Sequence, residues 1–181
     1  MTPLRLTVII GSTREGRTGG RIAHWFVDRA VRRDDIAVTV VDLADYAFPA
    51  HYPGEPTASM VSFAATVEAA DAFVVVTPEY NHSFPASLKQ AIDYGYDEWQ
   101  AKPVGFVSYG CRSVGTHAVE QLRTVFTALH ATTVRDGVGI DLLCGELDTE
   151  QRRQDAAVLL DQLSWWGHAL RDGRATRPYV S

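Results

Sequence analysis

The stretch Val8-Ile9-Ile10-Gly11-Ser12-Thr13-Arg14-Glu15-Gly16-Arg17-Thr18-Gly19-Gly20 decides the reading of this chain. An apolar run ending at Ile10 gives way to glycines, hydroxyls and two arginines. A helical pattern follows, with Ile22, Phe26 and Ala30 at four-residue steps. Strand, small-residue loop and helix N-terminus together make an anion site. First-turn N–H groups lack intrahelical partners, and the helix dipole favours negative charge there. Glycines admit close backbone approach, and Ser12, Thr13 and Thr18 offer hydroxyls. Arg14 or Arg17 offers a forked cationic donor. The plainer alternative is an ordinary βα turn that needed its glycines.

The spacing narrows the anion. No Gly-Lys-Ser/Thr follows, so this is not a P-loop, and Gly11, Gly16 and Gly19 miss the intervals of the dinucleotide fingerprint. One phosphomonoester wrapped by hydroxyls and an arginine fits better than a pyrophosphate.

Outward from this loop, strand and helix patterns alternate. Residues 36–41 form a second β-branched run, and 46–56 is a loop by its prolines and glycine. A helix is predicted over 58–70 with Thr57 or Ser59 as N-cap. The continuous apolar run 72–77 reads as a strand covered on both faces. Pro85 fits the first turn of the next helix, which carries Leu88 and Ile92. A fourth strand over 104–109 precedes a helix marked by Val119, Leu122, Val125, Phe126 and Leu129. A fifth strand falls within 132–140. The last helix spans about 150–172, capped by Asp148 or Thr149, with Leu160, Leu163 and Trp166 inward. Five strand–helix pairs argue a three-layer α/β fold with a doubly wound parallel sheet, one domain over 1–181. Ligands of such sheets sit beyond the strands' carboxyl ends at a switch in strand order. The loops 11–20, 78–84 and 110–115 converge there.

The second of these loops, Thr77-Pro78-Glu79-Tyr80-Asn81-His82-Ser83-Phe84-Pro85, has stiffening prolines, aromatic surface and backbone groups free to pair with the edge of a heterocycle. Gly-Ser-Thr-Arg-x-Gly-Arg at 11–17, Pro-Glu-Tyr-Asn-His-Ser at 78–83 and Ser-Tyr-Gly at 108–110 resemble the NADPH-dependent FMN reductase family. Leu88-Lys89-Gln90-Ala91-Ile92-Asp93, Ala118-Val119-Glu120-Gln121-Leu122-Arg123 and Arg177-Pro178-Tyr179-Val180 extend the resemblance over nearly the whole chain. That family has the flavodoxin-like fold, with strand order 2-1-3-4-5, and includes quinone, azo-dye and chromate reductases.

Carried across, the resemblance implies that Ser12, Arg14, Arg17, Thr18 and Gly19 hold the FMN phosphate. Pro78, Glu79, Tyr80 and Asn81 then run along the isoalloxazine, mainly through their backbone, and Ser108, Tyr109 and Gly110 close the other side. Cys111 and Val114 depart from the family pattern. The implied activity is hydride transfer from NADPH or NADH to FMN, then reduction of a quinone, azo, metal-oxyanion or free-flavin acceptor. No side chain is required as a catalytic acid or base. A flavodoxin-type electron carrier is the rival reading. Such carriers hold the phosphate on hydroxyls and amides without arginine, which Arg14 and Arg17 oppose.

Composition excludes other classes. The 181 residues are 46% apolar and 22% charged, with a net charge of −5, which gives no reason to expect nucleic acid or a membrane surface. No signal-peptide core or membrane-length run is evident, so a cytoplasmic location is expected. Cys111 and Cys144 are too few for a disulfide framework, and Cys111 is expected as a buried small hydrophobe. His51, His82, His117 and His168 lie without metal-ligand spacing, so no metal is expected. Tyr94, Tyr96 and Trp99 exceed what one amphipathic face needs and belong either to the core or to a homodimer or homotetramer interface. Trp165 and Trp166 are expected in or over the core.

Overall fold

The computed structural model describes residues 2–180 apart from Cys144, so the reading of that cysteine lies outside the described residues. Strands β1 (Leu4–Ile10), β2 (Ile36–Asp42), β3 (Ala72–Pro78), β4 (Pro103–Gly110), β5 (Thr132–Thr133) and β6 (Val138–Asp141) form one parallel sheet. Its order is β2-β1-β3-β4-β5, with β6 also paired to β4. This is the flavodoxin-like doubly wound order, whose direction reverses between β1 and β3.

Alternation along the strands explains the layers. Leu6, Val8, Ile10, Val74, Val76, Val107 and Tyr109 face one side, under α1 (Gly19–Ala30) and α5 (Glu150–Thr176). Ile9, Phe73, Val75, Val104 and Phe106 face the other, under α2 (Ala58–Ala69), α3 (Ala86–Asp93) and α4 (Thr116–Ala128). Every residue of β3 and β4 is buried, as expected for central strands covered on both faces.

The caps resolve the open choices. Thr57 accepts from Met60 N–H and Thr149 from Arg152 N–H, so threonine caps both helices. Pro85 is the N-cap of α3, with extended ψ of 140°, one residue ahead of its expected place. The fifth strand departs from a single continuous element. Val104 pairs with Thr133 and Val107 with Val138, so residues 134–137 bulge opposite Gly105 and Phe106. Gly137 makes this possible, since a Cβ there would lie 2.8 Å from the Phe106 carbonyl oxygen.

Two aromatic expectations are corrected. Trp99 is fully buried against Phe73, and Tyr94 is buried with its hydroxyl donating to Pro49 O, leaving only Tyr96 exposed. The aromatic surplus at 94–99 is therefore mostly core. Conversely, Trp165 is 66% exposed and Trp166 39%. Helix α5 meets the sheet at Gly167, where Leu4 lies within 2.5 Å of a would-be Cβ. Contact that close leaves no room for indoles beneath the helix, and they stack edge-to-face on its flank.

The amino end of the sheet is pinned by Asp71. Its side chain is wholly buried, accepts from Arg5 Nε and Nη2 at 2.9 and 2.8 Å, and has Arg171 and Arg174 within 3.6 Å. Burial raises its pKa, but Arg5 and Arg171 outweigh that and hold it below the usual carboxylate value of 3.8. The folded state therefore binds the Asp71 proton less tightly than the unfolded chain. Its stabilisation is full above the unfolded pKa and is lost as pH falls through the folded one. Asp71→Asn is expected to cost about 2–3 kcal/mol at neutral pH, because three arginines lose their common negative charge and one oxygen acceptor becomes a donor. Urea denaturation of both proteins at pH 7 and pH 3 checks this: the gap should narrow in acid.

Candidate functional site

The first loop leaves the sheet at its switch point. Gly11 N–H donates to Val76 O at 2.9 Å, continuing the β1–β3 ladder one residue beyond the strand. Ser12 is then fully buried, and the chain turns through Gly16, at φ +67°, into α1. No side chain caps α1, and its first turn holds no acidic residue. An anion is what this N-terminus lacks.

Three hydroxyls gather beside it. Ser12 Oγ and Tyr80 OH are 3.1 Å apart. Tyr109 is 3% exposed, and its hydroxyl has no hydrogen-bond partner among the described residues. That oxygen lies 2.8 Å from where a Cβ on Gly19 would stand, so the phenol abuts the start of α1. Burial pushes its pKa up to about 12, against the lowering effect of the nearby Ser12 hydroxyl, and this keeps it a donor. An unpartnered buried hydroxyl costs about 1–3 kcal/mol unless a ligand satisfies it.

The two arginines behave differently. Arg17 makes a forked pair with Asp42 at 2.7 and 2.6 Å and also donates to Ser12 O at 2.8 Å. It braces the loop against the end of β2. The Arg14 side chain has no hydrogen bond or ion pair among the described residues; its guanidinium stands 5.8 Å from the centre of the Tyr80 ring. The structure thus leaves Arg14 as the uncommitted cation at the loop.

The second loop is a tight turn. Tyr80 and Ser83 exchange backbone hydrogen bonds of 2.8 and 3.0 Å around Asn81 and His82, both at positive φ (51° and 62°). This is the two-residue turn that matches strand twist, here built without glycine. Gln121 on α4 secures it, donating to His82 O and accepting from Ser83 Oγ, each at 2.7 Å. The expectation of free backbone groups along this loop needs correction. Glu79 N–H is spent on Tyr109 O at 2.9 Å, and Tyr80 N–H on Ser83 O.

The third loop is held from within. Ser108 Oγ donates to Val114 O at 2.8 Å, and Gly115, at φ +88°, starts α4 where a Cβ would meet Ser108 Cβ at 2.6 Å. Glu79 spans the second and third loops. Its carboxylate accepts from Ser113 Oγ at 2.8 Å and from His117 N–H at 3.0 Å, supplying α4 with the cap its own N-cap glycine cannot.

Together the loops enclose a cavity of about 100 Å³ lined by Ser12, Arg14, Arg17, Thr18, Pro78, Glu79, Tyr80, Tyr109 and Gly110. A neighbouring depression of about 270 Å³ shares Thr18 and Leu142 with it. Of the other expected residues, Gly19 backs the Tyr109 phenol, Ser108 faces Val114, and Asn81 sits on the turn outside the cavity wall. One lining residue escaped the sequence reading, and one singled out there is placed differently. Leu142 comes from beyond β6, where its N–H bonds Gly110 O at 3.0 Å; an apolar pair following the last strand was its only signal. Cys111 lines the cavity and is exposed rather than buried, because it sits past the end of β4. The histidines are not all scattered. His82 and His117 stack with ring centroids 4.4 Å apart, and a ring nitrogen of each lies with a Glu79 oxygen in a group no wider than 4.8 Å.

The family of NADPH-dependent FMN reductases matches residues 4–142. This chain belongs to that family. Membership carries the oxidoreductase class, with FMN as cofactor and NAD(P)H as reductant. An NAD(P)H-dependent FMN reductase of Schizosaccharomyces pombe is 36% identical over 134 residues, covering 69% of this chain and 66% of that protein. A quinone reductase of Pseudomonas putida is 31% identical over 127 residues, covering 64% and 67%. The chain thus spans about two thirds of the length of these relatives. Among solved structures, an NAD(P)H:(acceptor) oxidoreductase flavoenzyme of Paracoccus denitrificans superposes with a TM-score of 0.78 at 19% identity, covering 92% of this chain and 98% of its own. That likeness concerns the fold.

The Glu79 bridge has a measurable weight. Glu79→Ala is expected to lower stability by about 1–2 kcal/mol, through loss of the α4 cap and of the Ser113 bond. Chemical denaturation of flavin-free protein reads this; an unchanged midpoint would show that the carboxylate braces nothing.

Proposed function

We propose that this chain, acting as a single domain, holds FMN across the three loops and uses it to reduce a small-molecule acceptor at the expense of NADPH or NADH. The observation that carries the proposal is the set of unmet needs at one point: an uncapped helix N-terminus, an orphaned buried hydroxyl and an unpaired arginine. One phosphate monoester satisfies all three. Ser12, Arg14, Thr18, Gly19 and Tyr109 form its cradle, while Arg17 shapes the loop through Asp42. Pro78, Tyr80, Asn81 and Gly110 border the ring, and Glu79 and Ser108 position that border from behind. When bound, FMN supplies two-electron redox chemistry between nicotinamide and acceptor. The protein's own part is placement, and the rigid 80–83 turn fixes where reactants stack. No side chain serves as catalytic acid or base.

Quinones are the acceptor class best supported, by the Pseudomonas putida relative; azo compounds, metal oxyanions and free flavin are further candidates. A flavodoxin-like carrier role is disfavoured by Arg14. A cytoplasmic location belongs to this reading, and no helix of the described residues is long and apolar enough to cross a membrane. So does a homodimer or homotetramer, its aromatic support now resting on exposed Tyr96, Trp165 and Trp166.

The test compares FMN with riboflavin, which lacks the phosphate. Arg14→Ala is expected to weaken FMN roughly 10- to 100-fold, from about 1.5–3 kcal/mol, and to leave riboflavin unchanged. Tyr109→Phe should weaken FMN up to about tenfold without destabilising the flavin-free protein, since the hydroxyl has no partner to lose. Anaerobic stopped-flow mixing should then show NADPH or NADH bleaching the FMN-loaded protein without any partner reductase. Equal loss of FMN and riboflavin affinity would place the phosphate elsewhere, and failure of both nicotinamides to bleach would favour the carrier.

A further inference from the structure

The Glu79, His82 and His117 side chains form a cluster that hydride chemistry does not use. Two imidazole nitrogens and one carboxylate oxygen, all within 4.8 Å of one another, make an N₂O donor set at the cavity rim. Imidazole paired with carboxylate suits borderline divalent cations such as Zn²⁺ and Cu²⁺, not Mg²⁺ or Ca²⁺. We infer that this cluster is a binding site for a divalent transition-metal ion, with Glu79, His82 and His117 as ligands and water completing the shell.

The supports of the three ligands are rigid and come from different elements. Glu79 is fixed by Ser113 Oγ at 2.8 Å and the His117 N–H at 3.0 Å; these use two of about four lone-pair directions of the carboxylate and leave others for a cation. His82 projects from the tight turn. His117 lies one helical turn before Gln121, whose side chain grips that turn through His82 O and Ser83 Oγ. The two rings already face one another at 4.4 Å with 25° between their planes. Tetrahedral zinc sets its ligands about 3.3–3.5 Å apart, and both imidazoles are exposed enough to swing in by that margin. The α4 dipole opposes a cation by about 0.3–1 kcal/mol, and the Glu79 charge opposes the dipole in turn. Micromolar affinity is the expected outcome.

The inference does not rest on the flavin reading, although it has a consequence there. A cation at this point ties the turn carrying Asn81 to the start of α4, at the mouth of the cavity. Zn²⁺ is therefore expected to slow reduction of acceptors.

The test uses tag-free protein as purified. Calorimetric titration with ZnCl₂ is expected to show one ion per chain, with affinity falling at least about tenfold in both His82→Ala and His117→Ala. His51→Ala and His168→Ala, remote from the cluster, should bind as the parent does. Cu²⁺ paramagnetic resonance should show splitting from two nitrogens in the parent and one in His117→Ala. His117→Gln guards against misfolding, since it keeps the backbone N–H and similar bulk while removing the imidazole. No Zn²⁺ binding by the parent, or parent-like affinity and nitrogen splitting in His82→Ala and His117→Gln, would overturn the inference.

Discussion

The whole site depends on β1 being paired along both edges, to β2 on one side and β3 on the other. Each neighbour is entered by a crossover on a different face of the sheet, so α1, leaving β1, and α3, leaving the adjacent β3, run to opposite faces. The backbone at Ile10 and Gly11 thus opens into a crevice that no helix covers. Gly11 extends the ladder to Val76, and the chain can then peel away only over a small residue, with Leu88 of α3 3.0 Å from a would-be Cβ. The tolerance for bulk is low where the crevice begins, and that is why the loop reads as glycine and hydroxyls.

Around this crevice polar side chains divide into those that hold loops and those left unspent. Arg17 with Asp42, Glu79 with Ser113 and the α4 N-terminus, Ser108 with Val114 O, and Gln121 with the 80–83 turn each close an internal need. Arg14 and the Tyr109 hydroxyl close none. Folding normally leaves few buried polar atoms without partners, because each costs about as much as a lost hydrogen bond. A buried unsatisfied hydroxyl beside an uncapped helix N-terminus is consequently a statement about a ligand. Under the proposed function, part of the protein's stability arrives with the phosphate it binds.

Much of this was legible in the chain. Periodicity and capping residues marked all five helices: Leu122 with Phe126 and Leu160 with Leu163 recur at helical steps on a buried stripe, while Thr57 announced α2. A continuous apolar run marked β3 because both faces of the sheet are covered there. The bulge at 134–137 was not legible, since it is set by the pairing of β4 and by Gly137 clearing the Phe106 carbonyl, both non-local. The tryptophans misled for a related reason. Trp99 lies in a 3₁₀ turn with no period of its own, and Trp166 flanks a helix whose contact with the sheet is set by Gly167.

Within the site, residue type was readable and residue role was not. Arg14 and Arg17 are chemically the same and three positions apart, yet one is consumed by a carboxylate from the end of β2. Nothing near Asp42 in the chain announces that it will lie against the first loop. Glu79 and His117 are similarly remote in sequence and adjacent in space, joined because β3 and β4 are neighbours and α4 begins where β4 ends. Roles of this kind follow from strand order. A reading that places strand order first, then asks which charged side chains from neighbouring strand ends meet at each loop, separates the bracing arginine from the free one.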